Sequence, residues 1–216
     1  RLAALGIQER LEEAGWTTSV AQLPNNIVAC KGSGSTLFLA HSDSVPQSPG
    51  VVDNAAGVAT LLELARTTTA TNLCLGFPAQ EEIGLLGSRQ MVEVLEKWHP
   101  NPSNLNLVLS LDLVGHGSLS ITGLGPAWGQ KQLSWLYDHI SVHSEYGYQV
   151  VSRILPSNER SDHAPFSAKG YLAAHLLGRD QDGIFPNYHQ PTDTTFDPAS
   201  ISELVNTLET IATTST

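Results

Sequence analysis

Apolar positions along the chain switch between helical and alternating spacing several times, and the switches outline an ordered series of elements. Residues 3–14 carry apolar side chains at helical spacing, and Gly15 predicts a stop before Trp16. Two short β-like runs follow at 26–30 and 35–40, divided by Gly32 and Gly34, and the second leads straight into His41. A loop with Pro46, Pro49 and Gly50 comes next. The pattern at Val58, Leu61, Leu62 and Ala65 then predicts a helix over 54–66. Residues 73–77 (LCLGF) read as a buried strand, 84–98 as a second helix, and 105–111 as another strand ending at Asp112. This strand–helix–strand–helix–strand order implies an α/β fold with parallel strands and helices on the faces.

The second half is less regular. It predicts a strand near 118–122, a helix near 127–142, a strand near 148–152 and a short apolar run at 171–177. A last helix starts behind Asp197-Pro198, a capping residue followed by proline at the first helical position, and runs through Ile201, Leu204, Val205, Leu208 and Ile211. No repeat or low-complexity linker divides the chain, so one catalytic-size domain over residues 1–216 is expected.

Composition narrows the function. The formal charge is −10 and the pI near 5.1, which argues against nucleic acid or anionic membrane surfaces as partners. No stretch approaches the ~18–20 consecutive apolar residues of a membrane span. The chain opens on Arg1 rather than Met, as if processed or trimmed, and seven Arg against four Lys with many Thr and Ser leans toward an exported protein, secreted or periplasmic. Oligomeric state is not legible. Cys30 and Cys74 each sit in a short apolar run and read as two buried free thiols; a disulfide requires the two strands to be neighbours.

Five segments carry residues of metal-ligand type: His41-Ser42-Asp43, Asp53 before Asn54-Ala55-Ala56-Gly57, Glu81-Glu82, Asp112, and His189 in Tyr188-His189-Gln190-Pro191. Together they offer two histidines, three carboxylates and a spare glutamate, which suits two divalent cations sharing one bridging carboxylate. His41, Glu81, Glu82 and Asp112 lie at or just past predicted strand ends, the edge where open α/β sheets bind ligands. Asp43, two residues from His41, suits the carboxylate that orients a ligating imidazole through its second ring nitrogen. Asp53 reads either as a helix N-cap or as the bridging carboxylate, approached closely through Ala55, Ala56 and Gly57. Of the adjacent pair Glu81-Glu82, one carboxylate can bind metal while the other accepts a proton from water. The remaining histidines say less. His139 and His143 read as a solvated helix face and His99 and His116 as loop residues; His163 and His175 could line a pocket, with a satisfied core residue the default for His175.

In order from about residue 36 to 195, the segments HSD, PGVVDNAAGVATLLELAR, EEIGLLGS, LDLVG, SDHAPF and YHQPTDT resemble the di-zinc aminopeptidases of peptidase family M28. The resemblance implies a mixed, mostly parallel sheet between helices. It implies that Asp53 bridges two zinc ions, that His41 and Asp112 complete one site, and that Glu82 and His189 complete the other. It further implies Glu81 as general base, Asp43 as partner of His41, and a cis peptide after Asp53. Three positions depart from the pattern. Val52 stands where many members have Asp, Gln80 where a small residue is common, and Ala174-His175-Leu176 resembles the corresponding segment of glutaminyl cyclases, single-zinc relatives. Those cyclases carry Trp where this chain has Tyr188 and an acidic residue where it has Ser161. The expected activity is therefore removal of N-terminal residues from peptides with a free N-terminus, using two zinc ions. The rivals are a one-zinc glutaminyl cyclase and a metal-binding module without catalysis, against which the intact Glu81 argues.

Overall fold

The structure is a computed structural model that describes residues 2–20, 25–125, 127, 129, 131–132, 134–135, 149–150, 160–179 and 185–214. Its strands are β1 (Thr17–Val20), β2 (Ile27–Cys30), β3 (Thr36–Leu39), β4 (Leu73–Phe77), β5 (Leu107–Asp112), β6 (Ser118–Thr122), β7 (Gln149–Val150) and β8 (Ala173–Arg179). They form one sheet in the order β1-β2-β4-β3-β5-β8-β6-β7. The middle four, β4-β3-β5-β8, are mutually parallel, whereas β1/β2, β2/β4 and β6/β8 are antiparallel. A mixed α/β sheet with a parallel centre is the expected fold class. The central strands are buried along nearly their whole length, as near-continuous apolar runs require when both faces are covered.

Side-chain alternation sorts the strand residues between two cores. Phe38, Leu73, Leu75, Leu109 and Leu111 face the helices α1 (Leu2–Glu13), α2 (Ala56–Thr67) and α6 (Pro198–Thr214), where Leu11, Leu61, Leu64, Leu204 and Leu208 are buried with them. Leu37, Leu39, Cys74 and Val108 face the other way, onto Met91, Leu95 and Phe166 of α3 (Leu86–Glu93), α4 (Leu95–Trp98) and α5 (His163–Ala168). Trp16 ties the chain after α1 to α2 by donating its indole N–H to Ala65 O at 2.9 Å. Among the described residues no helix is long and apolar enough to cross a membrane.

Several expectations need correction. Strand β1 was not anticipated, because Thr17, Thr18 and Ser19 carry no apolar alternation; pairing to β2 makes it a strand. The helix expected over 84–98 is two helices, broken where Val94 leaves helical geometry (φ −112°, ψ 24°). Cys30 and Cys74 are not free thiols. They sit directly opposite each other in the antiparallel β2/β4 pair, with Cα atoms 4.1 Å apart, and form a disulfide. Of the helix expected near 127–142, residues 131, 132, 134 and 135 are helical and the rest lies largely outside the described residues, as do His139 and His143. Of the strand near 148–152, residues 149–150 are described as β7.

Candidate metal centre

Strand order explains why the chemistry converges. The chain runs from β3 through α2 to β4 on one side, then returns through α3 and α4 to β5 on the other, so β3 lies between them. This reversal is the switch point at which open α/β sheets form a crevice. Past β3, Ala40 N–H donates to Gly76 O at 3.1 Å and Ser42 N–H to Pro78 O at 2.8 Å, so strand geometry persists through the buried His41. The His41 Nδ1 lies 3.1 Å from the carbonyl oxygen of Asp43 and 3.6 Å from its Oδ1. The Asp43 carboxylate turns instead to the next loop, accepting the N–H of Glu81 at 3.1 Å and of Glu82 at 3.2 Å. Asp43 therefore orients His41 chiefly through its backbone and fixes the glutamate pair through its side chain.

Asp53 is not an N-cap. Residues Val51–Ala55 form a wide turn in which Asp53 (φ −113°, ψ 77°) and Asn54 (φ −142°, ψ 34°) are non-helical, and α2, expected from 54, begins at Ala56 with no side-chain cap. The Asp53–Asn54 peptide is cis, as the family resemblance implies. The turn starts at Gly50 (φ 69°), where a Cβ would come within 2.5 Å of the Ser44 Cβ and 2.7 Å of the Asp53 carbonyl oxygen. The Asn54 amide donates to Leu111 O at 2.7 Å, joining the turn to the end of β5 next to Asp112.

Two groups of ligand-type atoms result, each with its members within 4.8 Å of one another: His41, Asp53 and Asp112, and Asp53, Glu82 and His189. Asp53 belongs to both. Its Oδ1 is 3.3 Å from His41 Nε2, and its Oδ2 is 3.3 Å from His189 Nε2. His41 Nε2 is 3.5 Å from Asp112 Oδ1, and His189 Nε2 is 2.9 Å from Glu82 Oε2. Among the described residues, one buried atom of every residue in the two groups has no hydrogen-bond partner: His41 Nε2, Asp53 Oδ2, Glu82 Oε1, Asp112 Oδ1 and His189 Nε2. Buried polar atoms are rarely left so, and imidazole nitrogens mixed with carboxylate oxygens are the donors zinc takes. The residues present fit two such cations.

The electrostatics agree. Burial raises the carboxyls of Asp53 and Glu82, the latter to about 7, with the charges of Asp112 and Asp53 respectively adding to the push. Burial also lifts Glu81 to about 9, reinforced by Asp112, Asp162 and Glu82. Burial works against an imidazolium at His41, but Asp112, Asp43 and Asp53 outweigh it and hold the group well above its ordinary value. Burial likewise opposes ionisation of Asp112, yet His175 and His41 beside it hold it well below the carboxylate range. The cluster is one of surplus negative charge that attracts positive charge to its centre.

Behind Asp112 lies a second polar layer. His175 is buried, with its Nε2 3.7 Å from Asp112 Oδ2 and neither ring nitrogen hydrogen-bonded among the described residues, so it faces the acidic cluster rather than a neutral core partner. It stacks on His163 (centroids 5.2 Å apart, planes 17° apart), which opens α5 and lies 3.4 Å from Ser110 Oγ. His163 also lines a cleft of about 580 Å³ between α3 and α5, together with Arg89 and Arg160. His99 is a buried loop residue bonded to Gly34 O at 2.7 Å, and His116 stands edge-on to Phe185. At the mouth, half-exposed Tyr188 stacks on His189 at 3.7 Å.

Sequence reasoning missed Asp193. It is fully buried, and its carboxylate accepts the N–H of Val52 at 2.8 Å and of Asp53 at 3.1 Å. The departure at Val52 is thereby explained in part: the residue meets the rest of the site through its backbone, with its side chain packed on Leu113, Leu177 and Phe185. Left-handed backbone at non-glycine residues also collects here, at Gln80, Leu85, Leu113 and His189 itself, each next to or within a ligand-bearing loop. Such residues cost on the order of 1–3 kcal/mol each and gather where geometry serves function.

Aminopeptidase YwaD of Bacillus subtilis is 33% identical over 162 residues, covering 71% of this chain and 34% of YwaD, so the chain spans about a third of that relative's length. The structure of BSAP, a zinc aminopeptidase from Bacillus subtilis, matches with a TM-score of 0.68 at 22% identity, covering 86% of this chain and 48% of that one. A glutaminyl cyclase from Porphyromonas gingivalis matches with a TM-score of 0.71 at 17% identity, covering 96% and 87%. Those two likenesses, at such identities, show a shared fold. The sequence profile of Peptidase family M28 matches residues 25–214, nearly the full length, and the chain belongs to that family.

Proposed function

We propose that the chain is a two-zinc aminopeptidase that removes N-terminal residues from peptides. The observation that carries this reading is the pair of ligand groups sharing Asp53, with Glu81 beside them and outside both. His41 and Asp112 would hold one zinc, Glu82 and His189 the other, and Asp53 both. Zinc there would supply Lewis acidity toward the scissile carbonyl and a lowered pKa for water. Glu81 takes the proton of the attacking water and delivers it to the departing amine. Burial favours the neutral form of its carboxyl, the form that taking a proton from water produces. Asp43 fixes where that carboxylate stands, because it grips the backbone N–H of Glu81. The Cys30–Cys74 disulfide supports an oxidising compartment, in keeping with export.

A second reading, the one-zinc glutaminyl cyclase, draws on His175 against Asp112 at 3.7 Å, which could engage that carboxylate in place of a second cation. One experiment separates them. Protein loaded with zinc is analysed for metal and offered aminoacyl amides and a glutaminyl peptide. The aminopeptidase reading expects about two zinc per chain and free amino acid from the amides. A plateau at one zinc, with ammonia released only from the glutaminyl peptide, would replace it with the cyclase.

A further inference from the structure

We propose that Asp193 is the positioning residue for the shared carboxylate of Asp53, and that it couples this carboxylate to the loop that presents His189. The inference rests on the two-zinc reading above. The two oxygens of Asp193 hold two consecutive backbone N–H groups, those of Val52 and Asp53, at 2.8 and 3.1 Å. These amides open the wide turn, where helical partners are not formed. Asp193 is fully buried, so no water competes for them. It lies four residues after His189, in a loop closed on itself by short backbone turns: Tyr188 N–H to Phe185 O, Gln190 N–H to Asn187 O, and Asp193 N–H to Gln190 O. One rigid loop therefore delivers a terminal ligand and grips the backbone of the bridging one.

The arrangement assigns unequal consequences to the two metal positions. His41 and Asp112 follow or end central strands, so without Asp193 the position they form with Asp53 loses the placing of one ligand of three, whereas the other position loses the placing of both Asp53 and His189. His189 is held at its distance from Asp53 by the Asp193 bonds, so the Asp53–Glu82–His189 position depends on them. Asparagine at 193 keeps the shape but offers one acceptor oxygen, and its NH₂ would face the second N–H. Partners of this kind, one shell out from a metal, change affinity by about 10–100-fold when removed.

The test is a stepwise zinc titration of metal-free protein against a competing chelator, read as two dissociation constants, for wild type, Asp193→Asn and Thr192→Ala. Circular dichroism of each zinc-loaded protein reports folding. Two zinc on wild type, with the second step of Asp193→Asn weakened about 10–100-fold and the first changed far less, is the expected result. Thr192→Ala loses the exposed side-chain bond from Thr192 Oγ1 to Asn187 Oδ1, leaves the backbone turns in place, and is expected to leave both steps unchanged. Wild type saturating at one zinc would sink the two-zinc reading and this proposal with it. Wild type at two zinc, with Asp193→Asn matching it in both steps, would overturn this proposal alone. So would an equal loss in Thr192→Ala, which would mean general loop integrity, or an Asp193→Asn protein that stays unfolded with zinc in excess, which would make Asp193 part of the scaffold.

Discussion

Gly57 offers a direct test of how closely α2 must approach the site. It lies in the first turn of α2 with ordinary helical geometry, so its value is in the missing side chain rather than in backbone freedom. A Cβ there would meet Asn54 Oδ1 at 2.2 Å, Asn54 Cγ at 3.0 Å and the Ala40 Cβ at 3.3 Å. Asn54 is buried and held by its bond to Leu111 O at 2.7 Å, so Gly57→Ala forces that amide to move. Overpacking of this kind costs about 1–3 kcal/mol. Stranding the Leu111 carbonyl and the Asn54 amide adds about 1–3 kcal/mol, and the better helix propensity of alanine returns about 1 kcal/mol. The net loss is about 3 kcal/mol. For a domain of this size that lowers the melting temperature by about 6–12 °C. Thermal unfolding of the metal-free protein, followed by circular dichroism, measures it. Because Leu111 precedes Asp112, zinc affinity should fall as well. A melting temperature within about 2 °C of wild type, or higher, would show that the turn has slack and refute the argument.

Three further outcomes are expected. Glu81→Gln should retain zinc and fold but lose turnover by about 10²–10⁴-fold; near-normal kcat would remove Glu81 from the chemistry. Replacing Cys30 and Cys74 by Ser should lower unfolding free energy by about 2–4 kcal/mol, since the bond closes a loop with a sequence separation of 44; two thiols titrating in the untreated native protein would contradict the pairing. Burial, helped by His175, holds His163 neutral down to about 3, against an unfolded value near 6.5. Its folded value is depressed, so stability is full above 6.5 and falls as pH drops toward 3, because only the unfolded chain takes the proton. Comparing denaturant unfolding across pH 4–6, His163→Gln should show a slope shallower by about 1.4 kcal/mol per pH unit; identical slopes would place His163 in a wetter setting.

Much of this protein is legible in the chain itself. The runs at 26–30, 35–40, 73–77 and 105–111 carry the strands β2, β3, β4 and β5 because a sheet covered on both faces demands continuous apolar sequence, and that demand is local. The same locality put His41, the glutamate pair and Asp112 at strand ends. Other features are set only by what lies across the fold. Thr17–Val20 is a strand because β2 offers it a partner, and Cys30 and Cys74 are joined because β2 and β4 pair in that register. Asp53 resembles a helix cap in the sequence, but the wide turn that holds it depends on Asp193 from 140 residues away and on Leu111 from β5. Asp193 itself was silent, because an aspartate in a polar loop has many uses and its role appears only when two buried amides come to it. Which carboxylates meet at one point is decided by strand order, with β3 between β4 and β5, and an order among neighbours is a property of long-range packing that no local pattern encodes.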